Sequence, residues 1–289
     1  MIHVQPGLYL RYEPEGAPAP LVVDVSRSGR EYPTEYRSPL PFTTVHDNVS
    51  MHVEDLWAGT PAAGGTLLYC CFPNTWVDVN RSESDMDPAV VEGRWPRELK
   101  PTPRTLEGLG LIKTRSRFGE PFQERKLTVA EIEKRLDLYY RPYHAELKRI
   151  VDALYGRAGV LRQISCHCMS AVGAPTHPDA GKPRADFCVS DLKGRTASPE
   201  AMELVVESLR GYGYSVSVND PYVGNELIAR HGNPARGVDA IQIEINKKLF
   251  MDTGSFRRTP GFDKLKGDLD RLLGVIARDS AARARPGKR

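Results

Sequence analysis

Several polar side chains stand at the ends of apolar runs, where enzymes commonly do chemistry. Glu244 lies in the run from Ala240 to Ile245, in which Ile241, Ile243 and Ile245 share one face and Gln242 and Glu244 the other. A carboxylate opposite three isoleucines is either a salt-bridged edge residue or a general base whose pKa burial can tune. His167 ends the run from Gln163 to Cys168, with Cys166 and Cys168 pointing to the opposite face. It reads as a hydrogen-bonded structural histidine or as a ligand. Asn80 and Arg81 follow the run from Thr66 to Cys71. An arginine fork there would fix a loop or hold a substrate carboxylate with two parallel bonds. Arg27, Ser28 and Gly29 follow Leu21 to Val25, and Tyr222 follows Tyr214 to Val218, with Arg230 and His231 just beyond. Each of these also has a structural and a functional reading.

These residues need a scaffold that brings strand ends together. The five runs just named read as strands. Helices are expected between and after them. Thr128-x-x-Glu131 is a capping box that opens a helix carrying Ile132, Leu136, Tyr139, Tyr140 and Tyr143, which Pro142 should kink or break. Ser198-Pro199 starts a second helix that runs to Gly211, and Phe262, Leu265, Leu269, Leu272, Leu273 and Ile276 stripe a third. Alternating strands and helices predict an α/β fold in one domain, with a mixed, mostly parallel central sheet and helices on both faces. In such sheets ligands bind beyond the carboxyl ends of the strands, where the candidates cluster. Residues 85–123, rich in Pro, Gly, Arg and Glu, have little periodicity and read as a long loop or lid. Residues 278–289 hold five basic residues against Asp279 and read as a frayed, solvated end.

Composition narrows the function. The 289 residues are 40% hydrophobic and 27% charged, as in an ordinary globular protein. The net charge of +3 includes +4 from residues 278–289, which leaves −1 elsewhere, so no basic face argues for nucleic acid. No apolar run approaches the roughly 20 residues of a membrane span, and the first residues lack the pattern of a secretory signal. The five cysteines are odd in number and contain no C-x-x-C pair, which argues against a zinc knot or a disulfide framework and fits a reducing cytoplasm. A small-molecule substrate is the expected partner.

The segments Ser26-Arg27-Ser28-Gly29-Arg30-Glu31-Tyr32-Pro33, Gly65-Thr66-Leu67-Leu68, Asp78-Val79-Asn80-Arg81 and Tyr140-Arg141-Pro142-Tyr143-His144 recur in order with Cys166-His167-Cys168-Met169-Ser170, Asn219-Asp220-Pro221-Tyr222 and Gln242-Ile243-Glu244-Ile245-Asn246. Together they resemble the N-formylglutamate amidohydrolase family, from Leu21 to about Met251. The resemblance implies a fold similar to zinc exopeptidases such as the zinc carboxypeptidases and aspartoacylase. It further implies a bound zinc ion that activates water, cleavage of the amide bond of an N-formyl or N-acyl acidic amino acid, and a place in histidine catabolism. Carried over by residue, His167 would be the later zinc ligand and Glu54 the early carboxylate, with His52 or His46 moving in to complete the set. Asn80 and Arg81 would grip the substrate carboxylate, with Tyr222 and Arg230 also at the substrate, and Glu244 would be the general base. The chain departs from the family pattern at several positions, among them Asp239, Cys168, Ser170 and Ala171, and above all at Arg27, which stands where a ligand histidine is usual; a guanidinium cannot ligate zinc. Three readings follow: a metal-dependent hydrolase with a rearranged ligand set, a hydrolase in which Arg27 supplies the positive charge, and a binding protein that has lost the reaction.

Overall fold

The chain opens with a hairpin of β1 (Ile2–Gln5) and β2 (Tyr9–Tyr12). Gly7 takes the turn with φ of 70°, a left-handed conformation that glycine adopts without cost. The strands β3 (Leu21–Val25) and β4 (Thr66–Cys70) follow, both almost wholly buried. The short β5 (Val91–Glu92) and β6 (Leu127–Thr128) pair with each other alone. Strands β7 (Leu161–Met169), β8 (Phe187–Ser190), β9 (Val216–Val218) and β10 (Val238–Asn246) complete the set. The computed structural model describes residues 1–285.

Eight strands form one sheet in the order β1-β2-β4-β3-β7-β10-β8-β9. The pairs β4–β3, β3–β7, β7–β10 and β8–β9 are parallel, and β1–β2, β2–β4 and β10–β8 are antiparallel. The mixed, mostly parallel sheet is thus present. Four consecutive parallel strands, β4, β3, β7 and β10, open their carboxyl ends at one edge.

The helices are α1 (Phe42–His46), α2 (Val53–Leu56), α3 (Pro103–Leu106), α4 (Val129–Arg135), α5 (Arg141–Ala158), α6 (Pro199–Gly211), α7 (Glu226–His231) and α8 (Gly261–Arg283). Apolar layers cover both faces of the sheet. On one, Ile164, Cys166, Ile241, Ile243 and Ile245 pack against Val205 and Leu209 of α6 and Leu265, Leu269, Leu272 and Leu273 of α8. On the other, Val22, Leu68, Leu161 and Val238 meet Ile132 of α4 and Tyr143, Leu147, Ile150 and Leu154 of α5. Each such side chain removed from water contributes about 1.5–3 kcal/mol.

The capping box forms: Thr128 Oγ1 accepts from the Glu131 N–H at 3.2 Å, and Glu131 Oε2 accepts from the Thr128 N–H at 2.8 Å. Pro142 does not break the helical path. A wide π-type turn at Leu136–Tyr140 carries the chain from α4 into α5, and Pro142 falls in the first turn of α5, where no amide hydrogen is missed.

Two expectations need correction. Residues 85–123 are not structureless. They contain a 3₁₀ turn at Pro88–Val90, β5 and α3, and are tied down by Leu111 N–H to Asp85 O at 2.9 Å and Asp78 N–H to Leu111 O at 2.9 Å. Helix α8 also persists through Arg283, past the expected fraying point, because Asp279 pairs with Arg283 at 2.9 Å and with Arg162 at 2.8 Å. The final Lys288 and Arg289 lie outside the described residues. Among the described residues, no helix is long and apolar enough to cross a membrane.

Candidate active site

The β7–β10 register sets Ser165 beside Gln242 and His167 beside Glu244. Because side chains alternate, these four polar groups share the face opposite Ile241, Ile243 and Ile245. The row continues into β3, where Asp24 is fully buried and its carboxylate accepts from Gln163 Nε2 at 2.9 Å and Ser165 Oγ at 2.8 Å. Burial pushes the Asp24 carboxyl up to about 6.

A cavity of about 490 Å³ lies over the carboxyl ends of the parallel strands. Arg27 reaches it from the turn after β3, Asn80 and Arg81 from the chain after β4, Cys168 and Met169 from the end of β7, and Glu244 and Lys247 from the end of β10. The remaining wall includes Arg104 from α3, Lys113 and Arg117 from the chain after it, and Arg184 and Tyr222 from irregular segments. The turn after β3 lies so close to the chain leaving β4 that a Cβ on Gly29 would collide with the backbone of Cys71 and Phe72.

Glu244 is buried, and its Oε1 accepts from Gln242 Nε2 at 3.1 Å. Burial pushes the carboxyl up to about 7, against the pull of Arg27 and Arg184. Such a group exchanges a proton near neutral pH. Burial also depresses the Lys113 ammonium to about 7, opposed by Asp78 and reinforced by Arg27 and Arg81. Arg27 donates from Nε to Asp78 Oδ1 at 3.1 Å and from Nη2 to Asp78 Oδ2 at 2.7 Å. Burial works against the Arg27 cation, but Asp78 and Glu244 offset this and hold it protonated.

Asn80 is committed inward. Its Oδ1 accepts from the Leu227 N–H at 3.1 Å, and its Nδ2 donates to Gln242 Oε1 at 3.1 Å and contacts His167 Nε2 at 3.3 Å. Arg81, the other residue of the expected grip, has its Nε buried without a partner and its Nη1 4.0 Å from Asp85. Asn80 instead positions the row below. Tyr222 lines the cavity, and its hydroxyl accepts from Arg184 Nη1 at 3.1 Å. Arg230 is not among the lining residues. It points to Glu226 at 2.6 Å and to the Tyr140 hydroxyl at 3.2 Å, because α7 turns it outward.

The expected metal ligands do not converge. The Glu54 carboxylate takes the Ser28 hydroxyl and pairs with Arg30, and His52 is drawn away by Phe256 O at 2.9 Å from Nε2. His46 contacts the Tyr32 hydroxyl at 3.0 Å. His167 lies beneath the cavity floor. Its Nε2 lies 3.1 Å from Ser165 Oγ and 3.3 Å from Asn80 Nδ2. Burial, with Arg27 nearby, holds this imidazole well below its usual pKa and therefore neutral. Among the described residues no three His, Cys, Asp or Glu side chains are grouped to hold a metal. Committed donors beside a guanidinium and an ammonium do not fit a zinc ion.

Of the residues singled out in the sequence, Glu244, Arg27, Asn80, Arg81 and Tyr222 line the cavity. Sequence reasoning missed Arg104, Lys113, Arg117, Arg184 and Lys247. Only the length of the 85–123 segment pointed toward three of them. Seven cationic side chains line the cavity with Asp47 and Glu244, and behind the wall Asp78, Asp85, Glu107 and Asp179 pair with five of the seven.

The family model for N-formylglutamate amidohydrolase matches residues 19–251. N-formylglutamate deformylase of Pseudomonas putida is 24% identical over 208 residues, 70% of each chain. The crystal structure of N-formylglutamate amidohydrolase from Ralstonia eutropha JMP134 superposes with a TM-score of 0.89 at 38% identity, covering 96% of this chain and 99% of that one. A gene product of Agrobacterium tumefaciens, 16% identical, shares the fold with a TM-score of 0.60 over 91% of this chain and 92% of its own. The matched residues span the strand ends that build the cavity, and the likeness extends over nearly the whole fold: the chain belongs to the N-formylglutamate amidohydrolase family.

Proposed function

We propose that this protein hydrolyses the amide bond of an N-formyl or N-acyl acidic amino acid, with Glu244 as the general base. The observation that carries the reading is the pairing of one buried carboxyl, pushed up to about 7, with a small cavity bordered by seven cations. An acidic N-acyl amino acid brings carboxylates to meet the cations and an amide carbonyl to meet the base. Arg81, with an open fork, takes a substrate carboxylate. Glu244 accepts a proton from water as the water oxygen attacks the carbonyl carbon. It returns that proton to the leaving nitrogen as the carbon–nitrogen bond breaks. His167, Asn80 and Gln242 hold Glu244 from behind. The five free thiols, four of them buried, support a reducing compartment as the working environment.

The test is release of formate from N-formylglutamate, with N-acetylglutamate and N-formyl-leucine as comparison substrates. Turnover of the acidic substrates in preference to N-formyl-leucine supports the reading. Saturable binding of formylglutamate with no product would replace it with a ligand-binding protein of the same fold. Neither binding nor turnover would refute the substrate class.

A further inference from the structure

The cavity is poor in metal donors and rich in fixed cations. Asp78 is fully buried, and its two oxygens take Nε and Nη2 of Arg27, with the Asn80 N–H also donating to Oδ1 at 3.1 Å. This clamp fixes the guanidinium plane and leaves Nη1 unused by Asp78. Lys113 Nζ stands 4.0 Å from Asp78 Oδ2, is buried, and makes no hydrogen bond among the described residues. Two cations thus face one buried carboxylate, and the surplus positive charge borders the same cavity as Glu244. A divalent cation placed there would meet like charge from Arg27 and Lys113, and His167 is not among the residues lining the cavity.

We propose that Arg27, clamped by Asp78, and Lys113 together supply as fixed charge the carbonyl polarisation a metal ion would give, and that the cavity neither binds nor requires zinc. This rests on the hydrolase reading above. Water adds through oxygen to the amide carbon and its proton passes to Glu244. The carbonyl oxygen gains negative charge against Arg27 Nη1 and the Lys113 ammonium. The carbon–nitrogen bond then breaks, the oxygen charge returns to the new carbonyl, and Glu244 protonates the leaving nitrogen. The balance is amide plus water to carboxylic acid plus amine, with no further reactant. Preorganised donors aimed at the developing oxyanion can carry such a step.

The experiment uses the full chain, purified without chelator. Elemental mass spectrometry should find zinc far below one equivalent, and calorimetric titration with zinc chloride should show no saturable site. Turnover of N-formylglutamate should survive dialysis against chelator and should not rise on adding zinc. Arg27→Met should lower kcat by about 100-fold or more with a smaller change in KM, as for loss of an oxyanion donor, and Arg27→Lys should recover part of it. Should Arg27→Met fail to fold with Asp78 left unpaired, Lys113→Met, on the cavity wall, should show the same loss in kcat. One equivalent of tightly bound zinc, or chelator-induced loss of turnover restored by zinc, overturns the proposal. So does wild-type kcat in both Arg27→Met and Lys113→Met. If no N-formyl amino acid is turned over, the hydrolase reading fails separately, and a saturable zinc site would still overturn the metal-free assignment.

Discussion

Replacing Glu244 with Gln should remove activity and raise stability, and the gain should depend on pH. The carboxyl is pushed from its ordinary value of 4.5 up to about 7 by burial. A group whose pKa is higher folded than unfolded binds more protons when folded. Unfolding free energy therefore falls as pH rises from the unfolded value to the folded one, and the penalty is complete above about 7. A rise of about 2.5 units at 1.36 kcal/mol each corresponds to roughly 3 kcal/mol carried by the ionised wild type at pH 8. Glutamine keeps an oxygen for Gln242 Nε2 and carries no charge. Urea unfolding at pH 5 and pH 8 should show the variant little changed at the lower pH and more stable by up to about 3 kcal/mol at the higher. Turnover should drop by at least about 100-fold, the usual contribution of a general base. Equal stability differences at the two pH values, or a variant less stable at pH 8, would refute the buried-carboxylate argument. A stabilised but fully active variant would refute the base assignment.

Three further outcomes follow from the geometry. Arg81→Met should raise KM for N-formylglutamate by about 10- to 100-fold, the worth of a charge-assisted hydrogen bond, with a smaller effect on kcat. Gly29→Ala should destabilise the fold by about 1–3 kcal/mol in urea unfolding, because the added Cβ meets backbone that cannot yield. In the wild type, kcat/KM should climb toward neutrality as Glu244, near 7, ionises, and fall above it as Lys113, also near 7, loses its proton. Lys113→Met should lower the rate and abolish the falling limb, which steady-state kinetics from pH 5 to 9 would show.

The centre of the fold was readable because its signals are local. Leu21–Val25 is apolar from end to end but for Asp24, and Ile241, Ile243 and Ile245 declare an alternating strand whose other face must hold Glu244. The run ending at Val218 marked β9 at one edge, but the other edge and β8 were not readable. Strands β1 and β2 are partly exposed and depend on the turn at Gly7, while β8 is four residues bounded by irregular chain. The site divided along the same line. Glu244 and Arg27 are legible because each ends or follows a strand. Arg104 comes from the four-residue α3 and Lys113, Arg117 and Arg184 from irregular chain, with no spacing rule, and only the tertiary path brings them together. His52 and Glu54 are neighbours in sequence, yet partners distant or local decide where they face: Phe256 for His52, Ser28 and Arg30 for Glu54.

The crowding of seven cations around one small hollow has a consequence for handling the protein. Each cation has a carboxylate within 4.0 Å, yet seven cations share five such partners, so the space keeps an excess of positive charge, and with a Debye length of about 8 Å at ordinary ionic strength salt screens it little. Any small oxyanion that enters meets that excess and binds the folded chain alone. At 100 times its dissociation constant such an ion would add about 2.7 kcal/mol to the unfolding free energy. Phosphate, sulfate and citrate would thus raise the melting temperature while occupying the place of the substrate carboxylates. For this molecule the buffer is a competing ligand, and melting curves and kinetic constants are comparable only when its anion is held the same.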